Sequence, residues 1–140
     1  MIEIGSHLQR LPMAASAKPT VYVVDDDAAV LGSLQFLLET DGFAVRTFRN
    51  ATALLNAAGA LAADCYVIDY KMPDINGIEL AGRLRQSGGE TPVILITGYP
   101  DVNISARAAA AGVKDVILKP LLDENLVKCI RRAIQDRRSN

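Results

Sequence analysis

Short apolar runs rich in β-branched residues alternate five times with longer amphipathic segments along this chain of 140 residues. The runs have the length of strands buried on both faces, whereas the longer segments repeat apolar residues at helical spacing. Strands that alternate with helices form a parallel sheet, because each helix carries the chain back across one face before the next strand begins. The sequence therefore predicts one α/β domain with helices on both faces of a five-stranded parallel sheet.

Local signals set the ends of the predicted helices. Asp27 supplies a capping carboxylate for the first helix, and Gly42 suits the left-handed position that ends it. Gly59 is predicted to end the second helix, Gly88-Gly89 the third and Gly112 the fourth. The predicted strands are 21–24, 43–48, 65–69, 92–97 and 115–119, and the predicted helices are 28–40, 52–58, 77–86, 102–111 and 123–137.

Composition excludes several classes of protein. Half of the residues are hydrophobic and 22% are charged, as in ordinary globular domains. A net charge of −1 gives no general attraction to nucleic acid or to anionic membranes. The apolar runs are shorter than a membrane span requires, and no signal-peptide pattern opens the chain. Cys65 and Cys129 do not form a disulfide framework, so we expect reduced thiols and a cytoplasmic protein without membrane contact.

The two ends of the chain carry less information. Residues 1–19 show no sustained period and are predicted to be a flexible leader, in which 5–7 resemble a cloning remnant. Residues 20–138 are predicted to form the domain. The single histidine, His7, lies in the leader, which excludes histidine catalysis inside the domain. No helix-turn-helix sequence follows residue 138, so we expect no direct DNA contact from this chain, whether it stands alone or belongs to a longer regulator.

Four of the predicted strands end in polar residues. Asp25 and Asp26 follow the first strand, Asp69 closes the third, Thr97 closes the fourth and Lys119 closes the fifth. Open parallel sheets bind their ligands at the carboxyl ends of the strands. We therefore expect these five side chains to gather at one edge and to form the functional site.

The types of residue at this edge indicate phosphoryl chemistry. Carboxylates that converge repel one another, and a divalent cation relieves the repulsion. Mg²⁺ suits Asp25, Asp26 and Asp69 best, because it is bound by carboxylates together with waters and phosphate oxygens. An aspartate can also accept a phosphoryl group covalently. Lys119 can pair with a phosphoryl oxygen as a point charge, and Thr97 can donate a hydrogen bond to another.

Four motifs in order resemble those of response-regulator receiver domains of two-component systems, over residues 20–138. Each motif is weak alone, but together at the ends of four strands they are highly specific. The resemblance is to the FixJ/NarL-like group, and it implies a flavodoxin-like three-layer (βα)5 fold with strand order 2-1-3-4-5. The motifs are Val-Val-Asp-Asp-Asp at 23–27, Asp-Tyr-Lys-Met-Pro-Asp-Ile-Asn-Gly at 69–77, Thr-Gly at 97–98 and Lys-Pro at 119–120.

The resemblance also implies roles for individual residues. Asp69 would accept phosphate from a sensor histidine kinase or a phosphotransfer protein. Asp25, Asp26 and Asp69 would hold Mg²⁺ with the backbone carbonyl of Lys71. Such a domain catalyses its own phosphorylation and dephosphorylation but is regulatory rather than an enzyme. Its output would be a changed protein association, including a homodimer through the face formed by the fourth helix, fifth strand and fifth helix.

The chain departs from the family pattern at Val116. Receivers commonly carry Phe or Tyr at that position, three residues before the lysine, as a rotamer switch coupled to the threonine. The signal would then travel by movement of the segment after Thr97, or Tyr99 would substitute for the missing aromatic. Lys71 and Tyr99 should also flank the path of an attacking water, so we expect them to prolong the lifetime of the phosphorylated state.

Two alternative functions stay open from the sequence. A Mg²⁺-dependent phosphatase or mutase of the aspartyl-phosphate type would usually need a second acid two residues after the nucleophile, where this chain has Lys71. A pseudo-receiver would act by protein contact alone. The complete set of five polar residues argues against that alternative, although Val116 keeps it open.

Overall fold

The computed structural model describes residues 17–99, 101–119 and 123–139. Within these ranges, five parallel strands form one sheet in the order β2-β1-β3-β4-β5. This order confirms the predicted flavodoxin-like arrangement 2-1-3-4-5. The strands are β1 Thr20–Val24, β2 Ala44–Phe48, β3 Cys65–Asp69, β4 Val93–Thr97 and β5 Asp115–Leu118.

Helices cover both faces of the sheet and produce the predicted three layers. Alternate residues of each central strand point to opposite faces, so that Val21 and Val23 pack with α1 and α5 while Tyr22 and Val24 pack with α2, α3 and α4. The chain therefore buries two apolar clusters, one on each side of the sheet. The helices are α1 Ala28–Thr40, α2 Ala51–Ala60, α3 Gly77–Gln86, α4 Val102–Ala110 and α5 Asp123–Ser139.

The predicted ends of the second helix are wrong. Helix α2 begins one residue earlier, where Asn50 accepts a hydrogen bond from the amide of Ala53, and it continues through Gly59 to Ala60. Gly59 does not adopt a positive φ, because the helix ends only at Leu61, whose backbone is extended. A glycine inside a helix costs only about 1 kcal/mol, which the packing of the helix against the sheet offsets.

The other predicted helix signals are confirmed. Asp27 accepts hydrogen bonds from the first amides of α1 and acts as its cap. Gly42, Gly88 and Gly112 have φ values of 95°, 88° and 87° and follow α1, α3 and α4. Strand ends differ from prediction by a single residue, as at β5, which ends at Leu118.

Some predictions concern parts of the chain that the structure does not describe. Residues 1–16 of the predicted leader and Pro120 of the Lys-Pro motif lie outside the described ranges. Cys65 and Cys129 are free thiols, as predicted. Among the described residues, none of the helices is long and apolar enough to cross a membrane.

Candidate functional site

The carboxyl ends of the strands bring the predicted polar residues to one edge of the sheet. Strands β1, β3 and β4 are paired in register, and the ladder extends past β5, where the amide of Lys119 donates to the carbonyl of Thr97 at 2.8 Å. As a result, one pocket of about 640 Å³ is lined by all five predicted residues: Asp25, Asp26, Asp69, Thr97 and Lys119.

Three carboxylates lie close together inside this pocket. One oxygen each of Asp25, Asp26 and Asp69 lies within 4.8 Å of the others. Asp25 and Asp69 are buried, with 2% and 6% exposure, whereas Asp26 is exposed. The ammonium of Lys119 lies 3.0 Å from Oδ1 of Asp69 and 3.7 Å from Oδ2 of Asp25. The ammonium of Lys119 is thus set against three carboxylates, which leaves these four side chains with an excess of negative charge.

Burial and neighbouring charges together shift the pKa values of the buried aspartates and of Lys119. Burial raises the pKa of Asp25 and of Asp69, and Lys119 only partly opposes this. The negative charges of the neighbouring aspartates raise both values further. Burial works against the ammonium of Lys119, but its hydrogen bond to Asp69 and the charges of Asp69 and Asp25 outweigh that effect, so its pKa is raised.

The donor set fits a small divalent cation. Oδ1 of Asp25 accepts a hydrogen bond from the amide of Asp27, but Oδ2 is buried and has no hydrogen-bond partner among the residues described. A buried carboxylate oxygen without a partner is costly unless a cation compensates it. Oxygen ligands from Asp25, Asp26 and Asp69, beside space for a phosphoryl group, are those that Mg²⁺ prefers. Lys71, the source of the fourth predicted ligand, lines the same pocket.

Lys71 and Tyr99 contact each other at the mouth of the pocket. The ammonium of Lys71 donates to the hydroxyl of Tyr99 at 2.9 Å and lies 5.0 Å from the centre of its ring. This hydrogen bond raises the pKa of Lys71. The amide of Tyr99 donates to Oγ1 of Thr97 at 3.1 Å. The two predicted lifetime residues are thus a pair, which the sequence did not indicate.

Val116 lies in β5, half-buried, and packs against the apolar cluster on the α2–α4 side of the sheet. Its nearest strand neighbour is Leu95 of β4.

Sequence reasoning missed Val30 as a residue of the site pocket, because its helical spacing in α1 indicated only core packing. The signal that could have found it is position: Val30 lies in the first turn of the helix that follows the acidic cluster.

Gly77 allows the loop after β3 to approach the strand that carries Asp69. A Cβ at this position would lie 2.6 Å from the backbone oxygen of Asp69 and 2.6 Å from Cδ1 of Leu95. The amide of Gly77 donates to the carbonyl of Tyr70 at 2.8 Å, which closes the loop. Close backbone approach, rather than a positive φ, is therefore the reason for glycine here.

We expect Gly77→Ala to destabilise the domain by about 2 kcal/mol, the usual cost of forcing an extra methyl group into a packed site. Chemical denaturation measures the effect as a lower midpoint. Gly82→Ala is the matched control in the same helix, because a Cβ at Gly82 meets nothing within 4 Å. The control should be neutral or slightly more stable, and equal effects of the two changes would contradict the steric explanation.

The fold is a doubly wound α/β arrangement, and its acidic edge offers oxygen donors that are compatible with a divalent cation. The chain matches the response regulator receiver domain over residues 21–131 and belongs to that family. It is therefore a receiver domain of two-component response regulators, as the motifs indicated.

Individual relatives agree with this assignment. The chain is 39% identical over 120 residues to the transcriptional regulatory protein FixJ of Bradyrhizobium diazoefficiens, covering 86% of this chain and 58% of FixJ. It is 38% identical over 115 residues to the response regulator protein TmoT of Ectopseudomonas mendocina, covering 82% of this chain and 52% of TmoT. A solved CheY-like receiver domain protein from Methanospirillum hungatei JF-1 matches with a TM-score of 0.84 at 26% identity. The match covers 88% of this chain and 98% of that protein's chain. The chain spans about half the length of these two curated relatives.

Proposed function

We propose that Asp69 accepts a phosphoryl group from a partner histidine kinase or phosphotransfer protein, with Mg²⁺ held by Asp25, Asp26, Asp69 and the Lys71 carbonyl. One observation carries this proposal. The Asp69 carboxylate is buried among two further aspartates yet lies 3.0 Å from a lysine ammonium. A carboxylate with a cation on one side and metal-binding carboxylates on the other is arranged for phosphoryl transfer.

In this proposal, each polar residue of the pocket has a separate role in the phosphoryl transfer. An oxygen of Asp69 attacks phosphorus, and the bond from phosphorus to the donor histidine nitrogen breaks as the new bond forms. The ammonium of Lys119 moves from pairing with the carboxylate to pairing with a phosphoryl oxygen. The hydroxyl proton of Thr97 takes no part in the bond that Oγ1 accepts from the amide of Tyr99, so it can be donated to the phosphoryl group once the side chain turns. Mg²⁺, when bound, neutralises charge on the transferring oxygens.

The proposed role is regulatory rather than enzymatic, with self-catalysed gain and loss of phosphate. We propose that phosphorylation changes the surface formed by α4, β5 and α5, and that a second copy of the domain binds there. Val102 and Leu118 support this, because they are large apolar residues exposed on α4 and β5. The relatives named as transcriptional regulators support an output in a longer protein of that kind.

Labelling with acetyl phosphate tests the proposal against its alternatives. We expect label in the presence of Mg²⁺ and none after chelation. Repeated turnover of an added phosphate ester would favour the phosphatase, a function that the cationic Lys71 beside the acceptor disfavours. Failure to label under both conditions would favour a pseudo-receiver.

Lys71 and Tyr99, which both line the phosphorylation pocket, are each expected to slow loss of the phosphoryl group. Lys71→Ala or Tyr99→Ala would open the path for water, and decay of the phosphorylated protein should accelerate about fivefold, equivalent to about 1 kcal/mol in the barrier. Decay of labelled protein after removal of the phosphodonor measures this. Lys128→Ala, an exposed lysine of α5, is the matched control and should leave the rate unchanged. Unaltered decay in the first two variants would remove both residues from this role.

A further inference from the structure

We infer that Tyr99 reports the state of Asp69, and that its ring leaves Lys71 and enters a pocket beside Val116 when Asp69 is phosphorylated. The inference rests on the proposed function. It assigns a positioning role to Tyr99 that goes beyond tuning of phosphate lifetime, and it names the place that the ring occupies in each state.

Tyr99 is held in its present position by two groups that border the phosphorylation pocket. Its hydroxyl accepts a hydrogen bond from Lys71 at 2.9 Å, and its amide donates to Oγ1 of Thr97 at 3.1 Å. In the described chain, the phosphorylation pocket and the pocket beside Val116 share only Thr97 and Tyr99. Tyr99 is therefore the aromatic residue that stands between them.

A phosphoryl group on Asp69 acts on both of these attachments. It adds negative charge two residues from Lys71, and the exposed ammonium is drawn from the tyrosine hydroxyl toward the phosphoryl oxygens. Thr97 turns its hydroxyl toward the same oxygens, which moves Oγ1 from the amide of Tyr99. One chemical event thus loosens the backbone and the ring of Tyr99 together.

The pocket beside Val116 can receive the released ring. Its volume is about 330 Å³, and it lies between α4 and β5. The apolar residues Val102, Ile104, Val116 and Leu118 contribute to its lining. Tyr99 is 48% exposed at present, so entry of its ring would remove apolar surface from water.

This movement would change the surface on which we propose that a second copy binds. Val102 and Leu118 are 82% and 48% exposed at the rim of the pocket. A ring inserted between them joins separate apolar side chains into one patch. The short side chain of Val116, which departs from the family pattern, is what leaves room for this alternative.

Nuclear magnetic resonance of the whole chain with Mg²⁺ and beryllofluoride, a stand-in for the phosphoryl group, tests the inference. We expect Overhauser contacts between the ring of Tyr99 and the methyl groups of Val116 and Ile104 to appear only when beryllofluoride is bound. Val116→Phe should bind beryllofluoride but lose the contacts between Tyr99 and Ile104, because its ring fills the pocket. Val116→Ala, which enlarges the pocket, should keep the Tyr99 contacts with Ile104. Tyr99→Phe, which lacks the hydroxyl bond to Lys71 but keeps the amide bond to Thr97, should show weakened ring contacts without beryllofluoride and full contacts with it.

The fluorine signal of bound beryllofluoride separates the two ways of failing. Bound beryllofluoride with the ring of Tyr99 still against Lys71 would overturn the inference and leave the proposed function intact. Absence of a bound signal in the wild-type protein would overturn the proposed function, and the inference with it. Contacts between Tyr99 and Ile104 that persist in a folded Val116→Phe protein would show that the pocket is not the destination.

Discussion

Asp69→Asn is expected to abolish labelling of the protein by acetyl phosphate in the presence of Mg²⁺. The carboxamide nearly preserves the shape of the side chain, and its oxygen can still accept a hydrogen bond from Lys119, which now lies 3.0 Å from Oδ1. It lacks the anionic oxygen that attacks phosphorus. Intact-mass measurement after incubation should show the added phosphoryl group in the wild type and none in the variant.

Asp27→Asn is the matched control for this loss. Asp27 borders the same pocket and belongs to the same acidic run, but its Oδ1 accepts amide hydrogen bonds at the start of α1. Asparagine caps helices as well as aspartate does, so the fold should be unchanged and labelling should continue. Equal loss of labelling in both variants would mean that general negative charge, rather than the Asp69 carboxylate, supports the reaction.

Asp25→Asn is expected to stabilise the domain in the absence of Mg²⁺ and to remove its response to the cation. Oδ2 of Asp25 is buried without a hydrogen-bond partner among the described residues, and the carboxylate lies beside those of Asp26 and Asp69. Removing one of these charges relieves repulsion. We expect Tm to rise by about 4 °C, the shift that about 1 kcal/mol produces in a domain of this size.

The dependence of this effect on pH follows from the raised pKa of Asp25, for which burial is the largest cause. The folded protein holds the proton more tightly than the unfolded chain does, so ionisation of Asp25 opposes folding. The penalty is complete above the raised pKa, shrinks as pH falls through it, and is absent below the unfolded value of 3.8. The advantage of Asp25→Asn over the wild type should therefore shrink as pH is lowered.

Addition of Mg²⁺ should reverse the order of stability. At ten times its dissociation constant, the cation stabilises the wild-type fold by about 1.4 kcal/mol, whereas Asp25→Asn should respond little. Thermal melts with and without Mg²⁺ measure both effects, and Asp27→Asn should behave as the wild type. A destabilised Asp25→Asn protein that still responds fully to Mg²⁺ would exclude Asp25 as a ligand.

Much of the fold was predictable because its signals are local or periodic. Asp27 and Gly42 mark the ends of α1 through hydrogen bonding and a left-handed backbone, which depend on a few neighbouring residues. The prediction that Gly59 ends α2 was wrong, because the helix continues through it to Ala60. Whether a glycine ends a helix depends on how the following residues pack against the sheet, which the local sequence does not encode. The order of the strands came from the family resemblance, since hydrophobic pattern alone permits other orders.

The candidate site was predictable for a different reason. Side chains at the carboxyl ends of parallel strands must meet, so Asp25, Asp69 and Thr97 could be placed together without knowledge of any distance. The hydrogen bond between Lys71 and Tyr99 joins two flexible side chains whose residues are 28 positions apart in the sequence. No periodic pattern in the sequence encodes such a contact. The lack of space for a Cβ at Gly77 was likewise hidden, because it depends on three-dimensional contact with residues of two strands.

Locating the phosphoryl group is the most direct measurement. After labelling with acetyl phosphate and Mg²⁺, borohydride reduces an aspartyl phosphate to homoserine, which peptide mass spectrometry identifies by position. We predict reduction at Asp69 alone, lost in Asp69→Asn and retained in Asp27→Asn. Homoserine at Asp25 or Asp26 instead, or no reduced residue in a sample whose intact mass shows phosphate, would contradict Asp69 as the acceptor.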